Sequence, residues 1–275
     1  MPEKLRLKSK FQLIQRLLRK TRLLFLAEYI DYLVSRLKCL NKNSLFLKKH
    51  PDFKIPPENL AYDAYSAPDW EFYKQSGEES AAYLKTILSK YKSGNDIDSI
   101  LEWGCGPGRI IRHLPQAFGP HVAIYGSDYN PQSIKWCRSS IPGIVFIENG
   151  LNPPLQLEGD HFDFIYVVSV FTHLSETTGM AWINELHRLL KPAGIVVITL
   201  KGDSYYKQLL PDEKKIYDSN GIVVRGDVTE GKKMFATFTS PDYVRNKLLS
   251  RFEVLQHSTG GSPLSNQDIW IARKI

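Results

Sequence analysis

The chain has 275 residues, enough to bury a full core as one large domain, or as one domain with an appendage. Apolar residues make up 43% and charged ones 24%, ordinary globular fractions. No run approaches the roughly 20 uncharged apolar residues of a membrane span, since even residues 23–40 carry Glu28, Asp31, Arg36 and Lys38. The formal charge of +7 is uneven, because residues 1–50 hold 13 Lys and Arg against Glu3, Glu28 and Asp31, a net of +10 that leaves −3 for the rest. That imbalance points to an anionic partner at the N-terminal segment and argues against a nucleic-acid groove across the main body.

The N-terminus lacks the basic region, apolar block and small-residue site that an export signal shows in sequence. Cys39, Cys105 and Cys137 form neither a paired framework nor a metal-ligand spacing, which predicts a reducing, cytoplasmic compartment. The seven histidines are scattered, so no metal is expected.

Between Pro2 and Pro51 there is no proline or glycine, and Leu7, Phe11, Ile14, Leu18 and Phe25 share one helical face. A basic helical appendage is predicted. Its apolar stripe and its charge suit peripheral contact with an anionic membrane through residues 1–50, or packing on the main body or a second subunit. Residues 51–69, with Pro56, Pro57 and Pro68, read as an extended connector and give the expected boundary: appendage 1–69, main domain 70–275. Residues 71–91 resume a helical pattern that Gly77 interrupts, with Tyr73 suited to helix packing.

From residue 97 short apolar runs alternate with helix-length segments. Runs at 100–103, 122–125, 144–147, 164–168 and 195–200 read as buried strands, and 132–138 and 180–190 as helices between them. Such alternation implies an α/β, doubly wound, mostly parallel sheet with right-handed crossovers. The last runs, 252–255 and 269–272, are too close for a crossover helix, so the final strand should be antiparallel, the seventh of the sheet. Residues 202–236, with Tyr205, Tyr206, Tyr217 and Phe235, form an insert that suits a lid over a site or a surface excursion.

The first of these strands ends in Glu102 and runs into Gly104, Gly106 and Gly108, where the chain can turn tightly against a ligand. The second ends in Asp128, twenty residues beyond Gly108, where a carboxylate can accept from both hydroxyls of a ribose. These features describe a nucleoside site. A dinucleotide fingerprint would need its third glycine at 109, which is Arg109, and this disfavours a nicotinamide oxidoreductase.

ILEWGCGPGR resembles the first motif of the class I S-adenosylmethionine-dependent methyltransferases, and YGSDYN resembles their following acidic loop. NGLNPPL, FDFIYVVSVFTHL and LLKPAGIVVITL resemble the adenine loop, the fourth-strand segment and the helix-to-fifth-strand turn. The resemblance covers residues 70–275 and implies the seven-stranded Rossmann-like fold with S-adenosyl-L-methionine as cofactor. It also implies that Glu102, Gly104, Cys105, Gly106 and Gly108 line the methionine end, Asp128 holds the ribose and Tyr129 packs on the adenine. Gly150 and Leu151 fall on the adenine loop, where many relatives carry an acid at the position of Leu151, so Asn149 or Asn152 would substitute. Val168 and Ser169 would pass beside the methyl.

No catalytic residue is assigned. An in-line displacement at a sulfonium methyl needs positioning more than an acid or base, and His173 is open to a role as base or as a packing residue. Val168-Ser169-Val170-Phe171 stands where base methyltransferases commonly place Asp or Asn, two prolines and an aromatic. FTHL instead resembles relatives acting on small molecules. The expected acceptor is a small molecule, glycan or lipid, with no nucleic acid. A cofactor-binding module without turnover is the alternative from another class.

Overall fold

The computed structural model describes residues 24–275, so Leu7, Phe11, Ile14 and Leu18 of the expected basic helix lie outside it. The first described element is helix α1, Leu24–Lys49, which stops ahead of Pro51. Its inner face carries Tyr32, Cys39, Asn43 and Phe46 at helical spacing. Buried Asn43 uses both ends of its amide, donating to the carbonyl of Pro68 at 2.6 Å and accepting from the backbone N–H of Trp70 at 3.1 Å. Such a paired amide fixes α1 against the next segment without a desolvation cost.

The expected extended connector contains a helix, α2, Glu58–Tyr65. Pro57 sits directly before its first turn, where a proline costs no hydrogen bond, and Ser66 ends it in the left-handed conformation. Helix α3, Trp70–Leu88, starts on Asp69, whose side chain accepts from the N–H of Phe72. It runs through Gly77 without a break. The glycine serves a close approach, since a Cβ there would lie 2.1 Å from the carbonyl oxygen of Arg109 and 2.9 Å from the His113 ring.

Alternating with helices come β1 (Ser99–Trp103), the short α4 (Leu114–Phe118), β2 (Ala123–Asp128), α5 (Pro131–Ser140), β3 (Val145–Glu148) and β4 (Phe162–Val167). Then follow α6 (Glu176–Leu189), β5 (Leu190–Leu200), α7 (Pro211–Asn220), β6 (Ile222–Arg225), β7 (Ala236–Thr239), β8 (Phe252–Ser258) and β9 (Asp268–Lys274). The main sheet has seven strands in the order β3-β2-β1-β4-β5-β9-β8. All pairs from β3 to β5 are parallel, and β9 is antiparallel to both β5 and β8, as the short link between the last two strands requires.

Side chains alternate between the two faces of this sheet. Ile100, Phe164, Tyr166, Ile195 and Val197 pack with α3 and α5 on one side. Leu101, Trp103, Ile165, Val167 and Ile198 pack with α6 on the other. β6 and β7 pair apart from the main sheet and make the insert a small unit with its own core of Leu209, Tyr217, Val223 and Phe238. Among the described residues no helix is long and apolar enough to cross a membrane, and none of their His, Cys, Asp and Glu cluster as metal ligands.

The chain after β1 forms only a short helix. A single tight turn at Ile111–His113 leads into the five residues of α4, which Gly119 ends. Pro115 and the following glycine leave no length for a regular helix.

Candidate functional site

A cavity of about 360 Å³ opens above the carboxyl ends of β1, β2 and β4, where the strand order reverses. In open α/β sheets this is the crevice that receives ligands. Its floor is the loop from Glu102 to Pro107.

That loop is held by the neighbouring strand. The N–H groups of Gly104 and Cys105 donate to the carbonyl of Ser127 at 2.7 and 2.9 Å, and Gly106 donates to Oδ2 of Asp128 at 2.7 Å. Gly104 has φ 81°, and a Cβ there would fall 2.1 Å from Val170, so this position admits only glycine. Gly108 lies behind the wall of the cavity. A Cβ there would meet Ile141 at 2.4 Å, which makes it a packing glycine.

Two carboxylates meet this floor. Glu102 is buried and accepts from the Tyr166 hydroxyl at 2.7 Å, because the β1–β4 register sets the two residues side by side. Burial pushes its carboxyl up to about 8, against the pull of Tyr166 and Arg109. Asp128 is raised by burial too, opposed by the N–H groups of Asn130 and Gly106. Each Asp128 oxygen keeps acceptor capacity beyond its bond to the loop.

The far wall is Tyr129, Asn149, Gly150 and Leu151. The Tyr129 hydroxyl donates to the carbonyl of Gly231 at 2.8 Å, which fixes the ring, and burial moves that hydroxyl up to about 12. Leu151 is held by its carbonyl, which accepts from the indole N–H of Trp182 at 2.7 Å. Asn149 donates to the Gly150 carbonyl at 2.7 Å, while its Oδ1 is buried with no partner among the described residues. Asn152 is exposed and not part of the wall.

Beyond β4, Ser169 takes a left-handed φ of 64°, with its N–H on Thr199 Oγ1 at 2.9 Å and its hydroxyl accepting from Gln267. A non-glycine residue held there is a mark of a constrained site. Val168 and Val170 flank it on the wall. His173 follows, with Nδ1 on the carbonyl of Phe235 at 2.8 Å, and burial drives its pKa down to about 4. The ring is therefore neutral at physiological pH, with the proton on Nδ1.

Two segments roof the cavity. Leu60, Asp63, Ala64 and Tyr65 come from α2, and Gly231 and Lys233 from the insert. Tyr65 accepts from the Arg109 N–H at 3.3 Å, with the Arg109 guanidinium 5.3 Å from its ring centre. Tyr73 supports the loop from behind, donating to the carbonyl of Pro107 at 2.7 Å. Lys233 joins the two roof segments, with Nζ 4.0 Å from the ring centre of Tyr62 and 3.7 Å from Glu28.

Glu102, Gly104, Cys105, Gly106, Asp128, Tyr129, Gly150, Leu151 and Ser169 thus surround one cavity, and Gly108 stands behind it. Sequence reasoning missed the contribution of α2. The available signal was the ten-residue interval between Pro57 and Pro68, long enough for two helical turns and opened by an acid at Glu58.

The residues fit S-adenosylmethionine. The glycine loop admits a close ligand, Asp128 offers acceptors for a ribose and Glu102 offers one for an ammonium. The orphaned Asn149 oxygen offers an acceptor to an exocyclic amine.

Residues 100–194 match the family model described as a methyltransferase domain. The chain is 25% identical over 212 residues to the tRNA N(3)-methylcytidine methyltransferase trm140 of Schizosaccharomyces pombe, covering 72% of this chain and 67% of that protein. It is 25% identical over 154 residues to the tRNA N(3)-cytidine methyltransferase METTL2 of Gallus gallus, covering 53% of this chain and 41% of that one. Among solved structures, a SAM-dependent methyltransferase from Methanosarcina mazei superposes with a TM-score of 0.52 at 21% identity, over 69% of this chain and 97% of that chain.

Proposed function

Given that the chain carries a class I S-adenosylmethionine-dependent methyltransferase domain, we propose that it transfers the cofactor's methyl group to a cytidine ring nitrogen of RNA. The observation that carries this reading is that curated relatives matching 53–73% of the chain are named as tRNA cytidine N3 methyltransferases. The same relatives correct the acceptor expected from the sequence, a small molecule, glycan or lipid, and the expectation that no nucleic acid is involved. The net +10 of residues 1–50 is accordingly assigned to phosphates rather than to a membrane surface.

The chemistry agrees with the site. S-adenosylmethionine supplies a methyl already activated on a sulfonium. The N3 atom of cytosine carries a lone pair and no proton, so no general base has to be built into the wall. His173 then serves as a neutral positioning group through its bond to Phe235, and adds no charge against the cationic base that forms.

In this proposal Glu102 receives the methionine ammonium, Gly104, Cys105 and Gly106 line the cofactor and Gly108 packs beneath it. Asp128 takes the ribose hydroxyls, Tyr129, Gly150 and Leu151 frame the adenine, and Asn149 accepts from its amino group. Ser169 flanks the methyl. The catalytic domain spans residues 70–275, with residues 202–236 as a lid and α2 of the appendage completing its roof.

The test is incubation of the full chain with tRNA transcripts and labelled cofactor, followed by digestion to nucleosides and mass spectrometry. Labelled 3-methylcytidine is expected. Absence of label from RNA, with cofactor binding confirmed by calorimetry, overturns the acceptor assignment.

A further inference from the structure

Helix α1 is apolar on two sides, and among the described residues only one of them is covered. The inner side, with Tyr32, Cys39 and Phe46, packs on the body. The outer side presents Leu26, Ile30, Leu33, Leu37, Leu40 and Leu47, each between 37% and 67% exposed. Their spacing is four, three, four, three and seven. That is a heptad seam, with Ile30, Leu37 and Ser44 at the a positions and the other four leucines at d.

We propose that this seam is the interface through which two copies of the chain pair, α1 against α1 around a twofold axis. The six side chains form a strict a/d stripe, the narrow seam of helix-to-helix packing, whereas a helix lying on lipid presents a broader apolar face. The size also fits. Eight exposed apolar side chains lie on or beside the seam once Tyr29 and Val34 are counted. At roughly 60–120 Å² per buried aliphatic side chain, they amount to about 500–900 Å² per copy, against about 800 Å² per partner in a specific interface.

Arg36, at a g position beside the seam, is already neutralised on its own body by Glu58. At its C-terminal end the seam widens into a groove lined by Leu40, Ser44, Leu47, Pro56, Pro57 and Trp136, room for the end of a second helix. Self-pairing on one patch is the isologous arrangement by which most homodimers form.

The test is sedimentation equilibrium of the full chain at about 10 µM, a concentration that detects micromolar dimers, beside the double variant Leu33→Glu, Leu37→Glu. A dimer is expected for the parent and a monomer for the variant, with cofactor binding and far-UV circular dichroism unchanged. A monomeric parent overturns the proposal, whether its own first 23 residues or a lipid vesicle then proves to cover the seam. A variant that remains dimeric does so as well.

Cross-linking decides the case where the double variant folds poorly. Because Cys39, Cys105 and Cys137 are all buried, a new surface thiol reports alone. Leu37→Cys, on the seam, should give a disulfide-linked dimer under mild oxidant, and Lys38→Cys, one position off it, should not. Equal cross-linking of the two, or none, contradicts the α1 seam.

Discussion

The hydroxyl of Tyr166 and the carboxyl of Glu102 share a 2.7 Å hydrogen bond between neighbouring parallel strands, at the floor of the cofactor cavity. Burial raises the Glu102 carboxyl from 4.5 to about 8. A folded-state value above the unfolded one contributes stability that is complete below about 4.5 and is lost as pH rises through about 8. His113 and His173, both lowered to about 4, act in the opposite direction between about 4 and 6.5. The comparison is therefore parent against Glu102→Gln. The variant should lose part of the decline in Tm between pH 6.5 and 8, and superimposable Tm–pH curves would refute the assignment.

Asp128 accepts from the Gly106 N–H, and in the proposed reading it also meets the cofactor's ribose. Asp128→Ala should weaken S-adenosylhomocysteine binding about ten- to a hundredfold, the equivalent of roughly 1.5–3 kcal/mol for a charge-assisted pair. Titration calorimetry measures it. Unchanged affinity in a folded variant would remove Asp128 from the site.

Gly77→Ala places a methyl 2.1 Å from the Arg109 carbonyl oxygen, which is backbone and cannot rotate away. The helix has to shift from the loop, at about 1–3 kcal/mol for overpacking. Chemical denaturation should show that loss, although alanine has the higher helix propensity. A variant as stable as the parent would mean that α3 does not press on the loop.

His173 holds the insert through Nδ1 and titrates near 4, so methyl transfer between pH 6 and 8 should not follow its protonation. Asparagine can present an N–H in the place of Nδ1. His173→Asn should therefore keep most of the activity and His173→Ala should lose more of it. A pH–rate limb near 6.5 that disappears in both variants would instead make the imidazole a general base.

Much of the fold was legible because its signal is local. Runs such as residues 195–200 are apolar but for Thr199, as strands covered on both faces tend to be, and the short link before β9 left only an antiparallel return. Helix α2 was hidden by composition, since Pro56, Pro57 and Pro68 mark a connector by rule although Pro57 is well placed to start a helix. The shortness of α4 is written in Pro115 near its start and Gly119 at its end.

In the site, Glu102 and Asp128 stand at strand ends and could be placed by counting. Tyr65 and Lys233 reach the cavity through tertiary packing that no spacing encodes. The acceptor was misread for a chemical reason. The Asp/Asn-Pro-Pro-aromatic pattern belongs to exocyclic amines, whose N–H groups need acceptors, and its absence says nothing about a ring nitrogen that has no proton to hand over.

The wall of the cavity begins at Leu60 and ends at Ser265, drawing on α2, the loops after β1, β2, β3 and β4, the insert and the link before β9. Opening any one of these segments breaks the pocket and releases a bound nucleoside. Ligand at a hundred times its dissociation constant then adds about 2.7 kcal/mol to the folded state. Limited proteolysis of the folded chain should accordingly slow when S-adenosylmethionine is added.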